Sequence, residues 1–240
     1  MRIEDIEYEV DGQRMVGRLA VDDYRPGPRP SVLVCHEGPG LEGHVKGRAV
    51  RLASAGYLAF ALDYQGGGQP PPTEAAMAAL GELMADRPRT KRLARAGLDL
   101  MLAQDQADAS RVAAIGYCFG GTMAIELARD GADVKAVAGF HPGFPAPAVE
   151  ETSKIKAKLL MCCGADDPFV PADVRHRFET ELAEAGVADW QIELYGRVGH
   201  SFTNPRVNGL GRPGLAFDEA ADRRSWRSLL DLLEESLGPV

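Results

Sequence analysis

The chain has 240 residues, of which 45% are apolar and 26% charged, and a formal charge of −8. That length suits one α/β domain spanning 1–240 with a substantial buried core, and the composition is ordinary for a water-soluble globular protein. The acidic balance, with no basic run, argues against nucleic acid as a partner. No apolar run approaches the roughly 18 residues of a spanning helix, and Met1-Arg2-Ile3-Glu4-Asp5 lacks the apolar core of a signal peptide. The expectation is a cytoplasmic protein that binds a small molecule, neither nucleic acid nor membrane, as a monomer or small homo-oligomer.

In chain order, Ile3 to Val10 and Gln13 to Val21 alternate like two strands, joined at the hairpin dipeptide Asp11-Gly12. Ser31 to Cys35 is a continuous apolar run, typical of a strand buried on both faces, and it ends in the loop His36-Glu37-Gly38-Pro39-Gly40. A helix is expected from Gly43 to Ala55, stopped by Gly56, and a strand from Tyr57 to Leu62. After the Gly- and Pro-rich loop 66–72, Thr73-Glu74 is expected to cap a long helical region that Pro88 breaks in two.

Val112 to Ile115 reads as a strand, Phe119 to Arg129 as a helix, and Val134 to Phe140 and Lys158 to Cys162 as further strands. Pro171 to Ala185 is helical with Gly186 behind it, Trp190 to Tyr195 is the last strand, and Ala216 to Leu237 is a closing amphipathic helix. The alternation of strands and helices predicts an α/β fold: a mostly parallel sheet with helices on both faces and an N-terminal antiparallel hairpin at its edge.

Of the four cysteines, Cys35, Cys162 and Cys163 sit in apolar strand-like runs and read as small buried hydrophobes. Their spacing matches no zinc or redox pattern. Cys118 differs. It stands in Gly116-Tyr117-Cys118-Phe119-Gly120-Gly121, between an apolar strand and a helix, which is the context of a nucleophile elbow. A turn that tight needs small flanking residues. It also presents the side chain at a helix N-terminus, where orphan amides and the helix dipole favour a thiolate and an oxyanion.

Two further segments complete a nucleophile–acid–histidine order. In Gly164-Ala165-Asp166-Asp167-Pro168-Phe169-Val170-Pro171 a carboxylate follows an apolar strand, and Asp167 is preferred over the adjacent Asp166 as the group that orients an imidazole. His200, in Gly199-His200-Ser201-Phe202, follows the last strand. His200 would take the thiol proton or pair with the thiolate while Asp167 holds its tautomer. The amides of Phe119 and Gly38 are the candidate oxyanion donors. Glu37 reads as a base, a charge beside the thiol, or a solvated bystander.

Together these residues resemble the dienelactone hydrolase family of α/β hydrolases. The resemblance rests on the Cys118 elbow, on Asp167 followed by Pro168-Phe169-Val170-Pro171, on His200-Ser201-Phe202 and on Glu37, and it extends in element order over nearly the whole chain. It implies a Cys–His–Asp triad that hydrolyses an enol-lactone or related ester without metal or organic cofactor. It further implies that Glu37 contacts the resting thiol and takes part in its activation. One departure stands out. Where family members acting on dienelactone carry a carboxylate-binding arginine after the His-Ser-Phe, this chain aligns Asn204, with Arg206 two residues on; the second family arginine has no clear counterpart, although Arg87 and Arg89 are nearby. The competing expectations are a non-catalytic or regulatory small-molecule-binding protein on the same scaffold, and a thiol redox protein, against which the lack of a resolving cysteine near Cys118 counts.

Overall fold

The computed structural model describes residues 1–240. Eight strands form one sheet in the order β1-β2-β4-β3-β5-β6-β7-β8: β1 (Arg2–Val10), β2 (Gln13–Val21), β3 (Arg29–Cys35), β4 (Leu58–Leu62), β5 (Ala107–Tyr117), β6 (Ala136–Phe140), β7 (Lys158–Gly164) and β8 (Trp190–Tyr195). The β1–β2 hairpin turns at Asp11-Gly12, both at positive φ, and β2 joins β4 antiparallel. From β4 to β8 every pairing is parallel. The expected sheet, hairpin included, is the one observed.

Seven helices cover the sheet: α1 (Gly43–Ser54), α2 (Thr73–Ala85), α3 (Arg87–Leu102), α4 (Phe119–Arg129), α5 (Val149–Thr152), α6 (Ala172–Glu184) and α7 (Glu219–Leu237). Residues of α1 and α7 build the core on one face, including Leu52, Trp226 and Leu229; residues of α3, α4 and α6 build the other, including Leu98, Met123 and Phe178. Strands β3 and β4 are buried along their whole length. That explains why their sequences are apolar throughout rather than alternating.

Several boundaries differ from the sequence expectation, each for a local reason. The break between α2 and α3 falls at Asp86, not at Pro88. The Asp86 side chain accepts the Arg89 amide as an N-cap, and Pro88 lies in the first turn of α3, where its missing N–H costs nothing. Thr73 does not cap α2 through its side chain; Pro72 precedes it as an uncapped start. Strand β5 begins at Ala107, ahead of the apolar run, because Arg29 and Pro30 pair with Ala107 and Asp108 before a register shift. The closing helix begins at Glu219, since Asp218 accepts the Ala221 amide. A one-turn α5 and a 3₁₀ turn at Pro205–Gly209 had no sequence signal. No helix is long and apolar enough to cross a membrane.

Candidate active site

The parallel register places the site. Cys35 pairs with Gly116, Tyr117 with Phe140, Phe140 with Cys162, and Gly164 with Tyr195. The strands therefore end nearly level. The residues just beyond them (His36-Glu37, Cys118, His141 and Asp167) emerge on one edge of the sheet, where open α/β sheets bind ligands.

Cys118 is the residue between β5 and α4, at φ 54 and ψ −121. A non-glycine residue held there is strained by about 1–3 kcal/mol, and such strain concentrates at functional positions. The glycines around it are required by packing, not by φ. A Cβ on Gly116 would lie 1.9 Å from the Gly120 carbonyl oxygen, and one on Gly120 would lie 2.3 Å from the Cys35 carbonyl oxygen. The helix thus begins directly against the ends of β3 and β5. Cys118 is half-buried, whereas Cys35, Cys162 and Cys163 are buried.

His200 presents Nδ1 to Oδ2 of Asp167 at 2.7 Å, and the other carboxylate oxygen, Oδ1, accepts the Phe169 amide at 2.8 Å. Asp166 is exposed and Asp167 buried, so of the two adjacent acids only Asp167 reaches the imidazole. The His200 loop is pinned on both sides: its amide donates to the Gly214 carbonyl, and its own carbonyl accepts the Ala216 amide. Burial would lower the His200 pKa, but the Cys118 thiolate, within hydrogen-bonding reach, and the Asp167 carboxylate outweigh it and push the imidazole up to about 10. The three groups are brought together in an arrangement able to hold a thiolate–imidazolium pair.

Phe119 is the first residue of α4, so its amide is among the helix's unpaired N-terminal donors. Gly38 lies in the loop after β3, with its carbonyl accepting the Gln65 side-chain amide. A Cβ there would lie 2.6 Å from Cδ2 of Leu80, so α2 closes over this loop through that leucine.

Glu37 is buried beside the same cluster. Its Oε2 accepts from Nδ2 of Asn204 at 2.7 Å and contacts Nδ1 of His44 at 3.3 Å, while Oε1 is buried without a partner. Burial alone would raise its pKa. The hydrogen bonds from His44 and Asn204, with the His200 charge nearby, reverse that and hold the carboxyl below the usual glutamate range. A bystander on the surface is thereby excluded.

The residues aligned with substrate-binding arginines sit otherwise. Asn204 is buried, its Nδ2 on Glu37 and its Oδ1 accepting the Arg206 amide, which leaves its side chain engaged at both ends. Arg206 is exposed and 3.8 Å from Glu42. Arg87 turns to Glu126 and Glu151, and Arg89 to Gln13 and Glu82.

Sequence reasoning passed over His44 and His141. His141 follows β6 at φ 41, fully buried; its ring lies 5.0 Å from that of His200, and its Nε2 meets Oγ1 of Thr203 at 2.9 Å. Burial, with the His200 charge beside it, lowers its pKa well below that of a free histidine, so it backs His200 as a neutral ring. Its place immediately after a buried parallel strand is the signal that could have found it.

Known proteins resemble the chain over nearly its whole length. The dienelactone hydrolase family matches residues 16–237. A crystal structure of a dienelactone hydrolase-like promiscuous phosphotriesterase from metagenomic libraries is 37% identical, superposes with a TM-score of 0.95, and covers 99% of both chains. A protein of Aquifex aeolicus provisionally named carboxymethylenebutenolidase is 26% identical over 88% of this chain and 91% of its own. Protein usf of Aquifex pyrophilus is 27% identical over 89% of this chain and 92% of its own. The chain belongs to the dienelactone hydrolase family.

Proposed function

We propose that the protein hydrolyses a small ester or lactone through Cys118, His200 and Asp167, without a cofactor. The observation that carries this reading is Cys118 at positive φ on the β5–α4 turn, facing an imidazole that is itself hydrogen-bonded to a buried carboxylate. In the reaction, the Cys118 thiolate attacks the acyl carbon. The developing oxyanion is received by the Phe119 and Gly38 amides. The His200 imidazolium protonates the departing alkoxide. Water, deprotonated by His200, then cleaves the thioester and restores the thiol. Asp167 keeps the imidazole in the tautomer that both steps need.

Asn204 stands where family members that cleave dienelactone carry an arginine, and its amide is engaged by Glu37. This favours neutral substrates over those with a free carboxylate. A second reading, phosphotriester hydrolysis by the same thiolate, is favoured by the phosphotriesterase relative that is alike over the whole chain. A neutral phosphotriester offers the same kind of electrophile and oxyanion.

The test is hydrolysis of an aryl acetate, a dienelactone and a neutral aryl phosphotriester by wild type and by Cys118→Ala. Cleavage of the aryl acetate that Cys118→Ala loses supports the proposal. Turnover that survives the substitution, or no turnover of any of the three, overturns it. Preference for the phosphotriester over the acetate would favour the second reading.

A further inference from the structure

The hydrogen-bond chain behind Glu37 fixes the state of a histidine that no motif includes. His44 lies in the first turn of α1 with its side chain only 5% exposed, and the edge of its ring meets Tyr117. Its Nε2 accepts from Nε of Arg48 at 3.2 Å. An arginine Nε is always a donor, so Nε2 of His44 must carry a lone pair, and the proton of the ring sits on Nδ1. That Nδ1–H points to Oε2 of Glu37.

Arg48 is itself held from three sides. It donates to the Thr203 carbonyl, pairs with Asp222 of α7, and packs between the Tyr117 and Trp226 rings. Oε2 of Glu37 thus receives two fixed donors, one from His44 on α1 and one from Asn204 after the His200 loop, and Oε1 receives none.

We propose that His44 is a positioning residue for the reaction: locked by Arg48 as the Nδ1–H tautomer, it clamps Oε2 of Glu37 together with Asn204 and so fixes the carboxyl group with Oε1 free. This rests on the hydrolase reading above and on the part in thiol activation that the family resemblance implies for Glu37. The role of Asn204 follows from the same geometry: it holds Glu37 and does not contact substrate. A carboxylate with one oxygen doubly held cannot rotate freely, and its remaining oxygen is the acceptor left for a proton or for an imidazolium charge.

The test is a mutant cycle with two readouts: turnover of an aryl acetate, and the second-order rate of Cys118 alkylation by iodoacetamide. The variants are His44→Phe, Glu37→Gln and the double variant, with His44→Gln, whose amide can still donate, as the conservative replacement. His44→Phe should lower kcat about tenfold with KM little changed, and shift the alkylation rate in the same direction as Glu37→Gln does. In the Glu37→Gln background it should have no further effect, because the group it holds is gone. His44→Gln should recover most of the loss.

The proposal is overturned if His44→Phe leaves both readouts at wild-type values, if its effect multiplies with that of Glu37→Gln, or if Glu37→Gln itself changes neither readout. Should His44→Phe melt well below wild type, His44→Ala takes its place in the cycle. Absence of any Cys118-dependent turnover would sink the hydrolase reading instead, and alkylation would then decide the clamp alone.

Discussion

Asp167 uses both carboxylate oxygens, one on Nδ1 of His200 at 2.7 Å and one on the Phe169 amide at 2.8 Å. It cannot turn away from the imidazole without giving up the backbone contact. Its neighbour Asp166 is exposed and forms no such pair. Asp167→Asn should therefore lower kcat/KM for an aryl acetate by about 10⁴-fold, as loss of a tautomer-setting carboxylate does. Asp166→Asn should stay within about twofold of wild type. Steady-state kinetics of the two variants decide the assignment, and equal losses would remove it.

The His200 imidazole is held up to about 10 chiefly by the facing thiolate and then by Asp167, against the pull of burial. By proton NMR its ring should remain protonated at pH 8 and titrate near 10. In Cys118→Ala, with the thiolate gone, the titration should move down towards neutrality. The stability sign follows from the same shift. A folded-state pKa above the unfolded value of about 6.5 means that the imidazolium contribution is complete below pH 6.5, declines above it and is gone past about pH 10. Between pH 7 and 10, the Tm advantage of wild type over an Asp167→Asn variant should shrink, and an advantage that grew with pH would contradict the pairing.

The close approach of α4 to the strand ends makes Gly116 a structural requirement. A Cβ at this position would sit 1.9 Å from a backbone oxygen that cannot move without displacing the start of α4. Gly116→Ala should cost at least about 3 kcal/mol, beyond ordinary overpacking, and abolish turnover. Gly81, in α2, has nothing within 4 Å of where its Cβ would be. Gly81→Ala should raise Tm, in line with about 0.8–1 kcal/mol of helix propensity. Thermal melts of the pair test whether packing, not glycine content as such, governs these positions.

Much of this arrangement is readable in the chain because it is local. The Gly-rich run around Cys118 encodes a turn with no room for side chains, and Asp167-Pro168-Phe169 encodes an Asx-type contact from Oδ1 to the Phe169 amide. The buried apolar runs announce a parallel sheet. What could not be read is long-range: that Asn204 meets Glu37, 167 positions away in sequence, and that Arg48 fixes the His44 ring while bridging to Asp222 on the last helix. Nothing in the neighbourhood of Asn204 in sequence distinguishes a residue that faces substrate from one that holds a carboxylate. The break at Asp86 was misplaced for a related reason, since Pro88 reads as a breaker when counted within a helix and as a favoured residue when counted from a helix start.

Remote from the site, Arg129 of α4 is fully buried among Glu126, Glu181 of α6 and Thr152 of α5, with bonds of 2.7 Å to each glutamate and 2.8 Å to the threonine hydroxyl. Glu181 Oε1 also accepts the Ala148 amide, so the arginine neutralises the carboxylate that anchors the whole α5 turn. Removing one partner of such a cluster costs far more than the cluster contributes against an apolar replacement; here the charge left buried without a cation is Glu181, since Glu126 keeps Arg87 and Lys91. Arg129→Met should therefore destabilise the fold by about 3–5 kcal/mol, while Arg129→Met combined with Glu181→Gln should recover much of that loss. Below the melting transition, kcat/KM of the single variant should match wild type, since none of these side chains approaches Cys118 or His200. Denaturant unfolding of the single and double variants would measure the difference, and a double variant no more stable than Arg129→Met would show that the cluster's hydrogen bonds, not its charges, hold α5 in place.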